Sequence, residues 1–203
     1  MSEIHTPSDA HLSPRVKQAL AASAQQDCDT ALLLFMQAIQ EEPASAVPHF
    51  LMGAELAQLG RMAEAETAYA NAVLLAPDAA IIRFELGALQ FTSARVAMAL
   101  LTWQPLLALP GTDPLKLFVL GYAALATDAF DDALDCFKKG IEANHVNAPL
   151  NGNIQLLINE ILRLRATQDG PSWTSGASAP HSQEETEQMH FLLSHYQNHG
   201  KPH

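Results

Sequence analysis

Three histidines stand near the end of the sequence at a spacing of four: His195, His199 and His203. On a helix that spacing would align their imidazoles on one face, the arrangement a metal site requires. Gly200 and Pro202 interrupt the segment, so a solvated histidine-rich end is expected, with no metal. The two cysteines, Cys28 and Cys136, have no CxxC or other ligand spacing around them. They are expected as buried, unpaired thiols on helices. Asp131 and Asp132 fall at an expected helix start, where the helix dipole accounts for them better than acid–base chemistry does. His49 and His190 adjoin apolar residues and are expected to pack. There is no glycine-rich phosphate loop and no nucleophile motif. The chain is therefore expected to be non-enzymatic and to need no cofactor.

The elements that carry these residues are helical by composition. Of 203 residues 48% are hydrophobic and 16% charged, which is the balance of a folded chain. Alanine and leucine dominate over β-branched residues, which favours helix. Eleven Lys and Arg are spread thinly and the net charge is −11, so no patch suits a phosphate backbone and no nucleic-acid partner is expected. The opening MSEIHTPSDAHLSP is polar and no apolar run has spanning length, so a cytoplasmic chain without a membrane partner is expected.

A period organises the helices. Alanine recurs at Ala31, Ala65, Ala99 and Ala133, at equal intervals. Four residues after each comes an aromatic: Phe35, Tyr69, Trp103 and Phe137. Three further on stand Ala38, Ala72, Leu106 and Gly140. Twelve residues before the alanines stand Ala19, Gly53, Gly87 and Gly121. Small residues let two helices approach, and the aromatic fills the space between one repeat and the next. A period of about 34 residues with this content specifies a helix–turn–helix repeat, in which stacking supplies the core. Ser13-Pro14 and Asp113-Pro114 read as helix starts, with Asp78 and Asp128 as further capping candidates.

These repeats resemble tetratricopeptide repeats. The resemblance rests on HFLMG…L…A…Y…A…P in the second, FELG…A…W in the third and FVLGY…A…F…G in the fourth. It implies an all-α fold: a right-handed superhelical array of four helix pairs plus a C-terminal capping helix. The expected boundaries are 1–11 as an N-terminal segment, then repeats at 12–45, 46–79, 80–113 and 114–147, a capping helix at 148–165, a linker at 166–182 and a tail at 183–203. In the capping helix Ile154, Leu157, Ile158, Ile161 and Leu162 form the apolar stripe. Pro105 falls inside the second helix of the third repeat and should kink it or stop it early.

The resemblance also implies where a partner lies, since first helices of such repeats line a concave, peptide-binding groove. The groove positions here are Phe50, Ala54, Gln58, Ile81, Phe84, Ala88, Phe91, Leu115, Phe118, Tyr122 and Leu125. They are apolar and aromatic, with Phe84, Phe118 and Tyr122 as expected anchors. The Lys, Arg and Asn with which chaperone adaptors of the family hold a terminal carboxylate are missing there; Arg83 and Lys116 fall in other phases. The expected function is a protein-interaction scaffold for an apolar helix or extended peptide. The chain is also similar to bacterial type III secretion translocator chaperones in being small and acidic, and a structural subunit of a larger machine is the remaining alternative.

The tail carries a capping-box start, Ser182 with Glu185, and then Met189, Leu192, Leu193 and Tyr196 on one helical face. These residues are expected either to dock in the groove of their own chain or to pair two copies as a homodimer.

Overall fold

A computed structural model describes residues 12–168. Among these residues the chain forms helices and turns and no strand. The helices are α1 (Pro14–Ala24), α2 (Cys28–Glu41), α3 (Ala46–Gln58), α4 (Met62–Leu75), α5 (Ala80–Thr92), α6 (Val96–Trp103), α7 (Pro114–Leu125), α8 (Phe130–Ala143) and α9 (Ala148–Gln168). The fold is all-α and built of tetratricopeptide-like helix pairs. Second helices begin at Cys28, Met62, Val96 and Phe130, one sequence period apart. α3, α5, α7 and α9 begin at Ala46, Ala80, Pro114 and Ala148, at the same interval.

The turn inside each pair repeats as strictly as the helices. Gln26, Gly60, Ala94 and Asp128 all take positive φ, at 61°, 74°, 61° and 56°. After each, the next amide reaches back five residues: Asp27 to Ala22, Arg61 to Leu56, Arg95 to Gln90 and Ala129 to Ala124, at 2.9–3.0 Å. This closes the first helix with a Schellman-type bond and aims the chain into the second. Only Gly60 takes the left-handed position without a Cβ penalty. Asp128 is therefore a turn residue and not the cap of α8, whose N-cap is Ala129 without a side-chain bond. Ser13 and Asp113 cap as the sequence predicts: Ser13 accepts from Val16 N–H, and Asp113 from the N–H groups of Leu115 and Lys116.

The helices group into two compact units, one ending at Leu89 and the other beginning at Gln90. In the first, Val16, Ala19, Ala31, Phe35 and Ala38 join α1 to α2. Leu32, Leu56, Ala65, Ala68, Tyr69, Leu86 and Leu89 form its second cluster. A Cβ on Gly53 would lie 2.7 Å from Tyr69 Cδ1, so α3 and α4 close only because that position is glycine. In the second unit the device is doubled. A Cβ on Gly121 would lie 2.5 Å from the Phe137 ring of α8, and one on Gly140 would meet the Phe118 ring of α7. Each helix of this pair thus inserts a ring against a glycine of the other.

Pro105 acts as expected: α6 stops at Trp103 and a 3₁₀ segment, Gln104–Ala108, replaces its last turns. α9 extends to Gln168 and buries Leu150, Ile154, Leu157, Ile158 and Ile161. Leu162 is exposed, because it lies at the edge of that stripe rather than on it.

Two tests separate space from backbone conformation. Gly121→Ala should cost about 1–3 kcal/mol through overpacking against Phe137. Gly140→Ala should cost a similar amount against the Phe118 ring. Both are read by chemical denaturation. At the turns, Ala94→Gly should stabilise and Gly60→Ala destabilise, each by about 1 kcal/mol, since only a Cβ is penalised there. Opposite shifts in melting temperature are the expected signature.

Candidate protein-binding surface

The expected groove residues do not share one fate. In the first unit Phe50, Ala54, Ile81 and Ala88 are half-buried, Gln58 is exposed, and Phe84 is buried. In the second unit Phe91, Leu115, Phe118, Tyr122 and Leu125 are all buried. The three expected anchors, Phe84, Phe118 and Tyr122, are thus core residues rather than open lining. In the second unit the cause is aromatic packing. Tyr122 lies 5.0 Å from Phe91, 5.0 Å from Trp103 and 5.2 Å from Phe137, ring centre to ring centre. Phe91 and Trp103 stack at 6.0 Å. Phe118 fills the space that Gly140 leaves. Tail docking onto these anchors has no accessible target, and Met189, Leu192, Leu193 and Tyr196 themselves lie outside the described residues.

Buried polar groups are consumed by architecture. Glu55 accepts a 2.5 Å hydrogen bond from Ser23 Oγ, and Thr102 Oγ1 donates to Gln90 Oε1 at 2.7 Å. Asp113 caps α7. Asn144 Nδ2 donates to Asn151 Oδ1 at 2.8 Å, and Asn151 Nδ2 donates back to the Asn144 carbonyl at 2.9 Å. Asn147 Oδ1 accepts from Leu150 N–H at 3.1 Å, so the α8–α9 corner is tied on three asparagines. Such closed networks fix a corner because their groups are paired with one another. Cys28 and Cys136 are free and half-buried, more open than expected. A hydrogen bond to Glu55 raises the Cys28 thiol first and burial second, while burial leads at Cys136. Both thiols are held in the protonated, unreactive form. Burial lowers the His49 imidazole, whose Nδ1 has no partner, as suits a neutral core-edge residue. Among the described residues no three His, Cys, Asp or Glu gather in a way that could hold a metal ion. No helix among them is long and apolar enough to cross a membrane.

What remains open is apolar. Met98, Leu100 and Leu101 on α6 and Leu107 just after it are all exposed, Met98 at 49% and Leu101 at 65%. No charged residue occurs from Val96 to Ala108. The repeat supplies an internal control. Met98 and Leu101 correspond to Glu64 and Thr67 in α4 and to Asp132 and Asp135 in α8. α8 also exposes Asp131, Lys138, Lys139 and Glu142. α6 therefore presents hydrocarbon where α8 presents two acids and α4 one; α2, with Thr30 and Leu33 at these positions, is likewise uncharged and leaves Leu33 and Met36 exposed. Sequence reasoning looked for the surface on first helices and missed this one. The signal was available as a charge-free run at positions where the second and fourth repeats carry acids.

No family model matches the sequence, and no curated protein matches it. Solved structures do. The chain is similar to MamA (41-end) from Desulfovibrio magneticus RS-1, at 16% identity over 78% of this chain and 99% of that one, with a TM-score of 0.53. A crystal structure of MamA covers 93% of this chain and 97% of its own at 14% identity, also with a TM-score of 0.53. Likeness at this identity shows the fold: an all-helical repeat architecture.

One titratable group is out of range. Burial pushes the Glu85 carboxyl from 4.5 up to about 7, and burial together with Glu85 raises the Tyr69 hydroxyl. The fold tolerates Glu85 as the neutral acid. As pH rises from the ordinary carboxyl value, the unfolded chain releases this proton first. The contribution of Glu85 is thus full below about 4.5 and lost as pH climbs through about 7. Glu85→Gln stays neutral throughout. It should melt like the parent chain near pH 4 and higher than the parent near pH 8, a divergence read by thermal melts across ~pH 4–8.

Proposed function

We propose that this chain is a non-enzymatic protein-interaction scaffold whose partner presents an apolar helix or extended segment. The observation that carries the reading is the charge-free, exposed face of Met98, Leu100, Leu101 and Leu107. A cluster of exposed apolar side chains on one short, charge-free segment marks an interaction site. Removing it from water yields about 25 cal/mol for each Å² covered. The buried polar side chains Glu55, Gln90, Asp113 and Asn144 are engaged in hydrogen bonds within the fold. The net charge of −11 suits a partner whose flanks are basic or neutral. The accessible remainder of the first-helix face, Phe50, Ala54, Gln58, Ile81 and Ala88, offers a second surface for the same kind of segment.

Two full-length variants decide which surface binds. Met98→Glu with Leu101→Glu places charge on exposed positions and should leave the melting transition within about 0.5 kcal/mol of the parent. Ala54→Arg with Ala88→Arg charges the first-helix face at half-buried positions, so its melting transition is checked before binding is compared. Proteins cross-linked to each form in the native lysate are quantified by mass spectrometry. The expected result is a loss of roughly tenfold or more for the α6 variant and little change for the other. Loss with the first-helix variant alone moves the site to that face. Parent-like recovery with both variants overturns the proposed surfaces.

A further inference from the structure

The repeat phase does not end with the fourth pair. α9 begins one full period after α7, so the two helices can be compared position by position. In α7, Phe118, Gly121 and Tyr122 meet α8 and are buried. Their counterparts in α9 are Gly152, Gln155 and Leu156, and all three are exposed. A Cβ on Gly152 would meet nothing within 4 Å. Leu156 is 62% exposed at the position where Tyr122 packs on Phe137. Gln155 Nε2 donates to Asn159 Oδ1 at 3.1 Å beside it, and Leu162 is exposed on the flank. The opposite side of α9, through Leu150, Ile154, Leu157, Ile158 and Ile161, is buried. α9 is thus a first helix whose second helix is missing from the described residues.

The chain continues beyond Gln168, through positions 169 to 203. Within that stretch, Met189, Leu192, Leu193 and Tyr196 recur at helical spacing after the capping pair Ser182 and Glu185. We propose that residues 183–196 dock antiparallel on the open side of α9, as the second helix of a fifth pair in the same chain. Leu156 and Leu162 receive the apolar face. Gly152 leaves room for a ring, as Gly140 does for Phe118, and Tyr196 is the ring on that face. The connection is longer than in the other pairs because α9 runs straight through Leu162, the position one period after the left-handed Asp128. Residues 169–182 can span about 46–50 Å when extended. A helix of 21 residues is about 30 Å long, so the return reaches any point of α9. Tethering puts the segment at a millimolar-range effective concentration, so a modest apolar contact suffices.

Hydrogen exchange on the full chain tests this at a low and a high protein concentration. Docking predicts slowed amides in residues 183–196 at both concentrations. Leu156→Asp, at an exposed position, should reduce that protection roughly tenfold or more. The buried amides around Phe137 and Ile154 should stay protected in the same variant and so report an intact fold. Three results overturn the proposal: unprotected amides at 183–196 in the parent chain, protection that survives Leu156→Asp, or protection confined to the higher concentration. The second would place the segment elsewhere, for instance on the α6 face, and the third would place it on another copy.

Discussion

The constraint on which this fold depends is the close approach of two helices through a ring set against a glycine. Gly53 admits Tyr69, Gly121 admits Phe137 and Gly140 admits Phe118. A ring contributes a large buried area, and at these three positions a Cβ opposite it would clash; in the first pair, with Ala19 in that phase, Phe35 is buried beside an alanine instead. The approach also needs the chain to reverse within a few residues. The left-handed residue at 26, 60, 94 and 128 supplies that reversal, and three of the four are not glycine. A Cβ in that region costs about 1–2 kcal/mol, which packing of the pair must offset. Backbone strain at the turn and ring insertion between the helices are thus two sides of one arrangement.

Period and element type were legible in the sequence, because equal spacing of alanine and aromatic over four repeats, with glycine in phase in three of them, has few other physical readings. Helix starts at Ser13 and Asp113 were legible too, since a capping side chain before proline is a local signal. The early end of α6 followed from Pro105 alone. Asp128 was misread because a turn acid and a capping acid look identical in sequence; only the positive φ separates them. Leu162 was assigned to the capping stripe by spacing, and the observed stripe runs through Leu150 instead.

The binding face was the least legible feature, and the reason is general to helical repeats. A phase identifies the residues that share a side of a helix. It does not say whether that side meets solvent or the next helix. Phe118 and Tyr122 have the phase of groove residues and the burial of core residues, because large rings reach the neighbouring helices. Where the same phase carries small residues, at Ala54 and Ala88, the side stays partly open. Phe50 and Ile81 share that partial opening despite their size, so the packing around each position, which period does not record, decides the outcome.

Departures from the repeat are therefore more informative than the repeat. The apolar surface of α6 is not a by-product of the proline that shortens it. Pro105 disturbs the backbone from Gln104 onward, yet Met98, Leu100 and Leu101 sit earlier, in regular α-helix. Packing does not demand them either, since Ala99 and Trp103 meet the needs of the core from the same helix. A regular, exposed helix face has no structural reason to exclude charge, and α8 shows that the same phase accepts Asp132 and Asp135 in the open. Solvent-facing leucines that neither fold nor helix requires carry a solubility cost in the isolated chain. That cost is offset when another surface covers them, which is why the third second helix is the place to look for a partner.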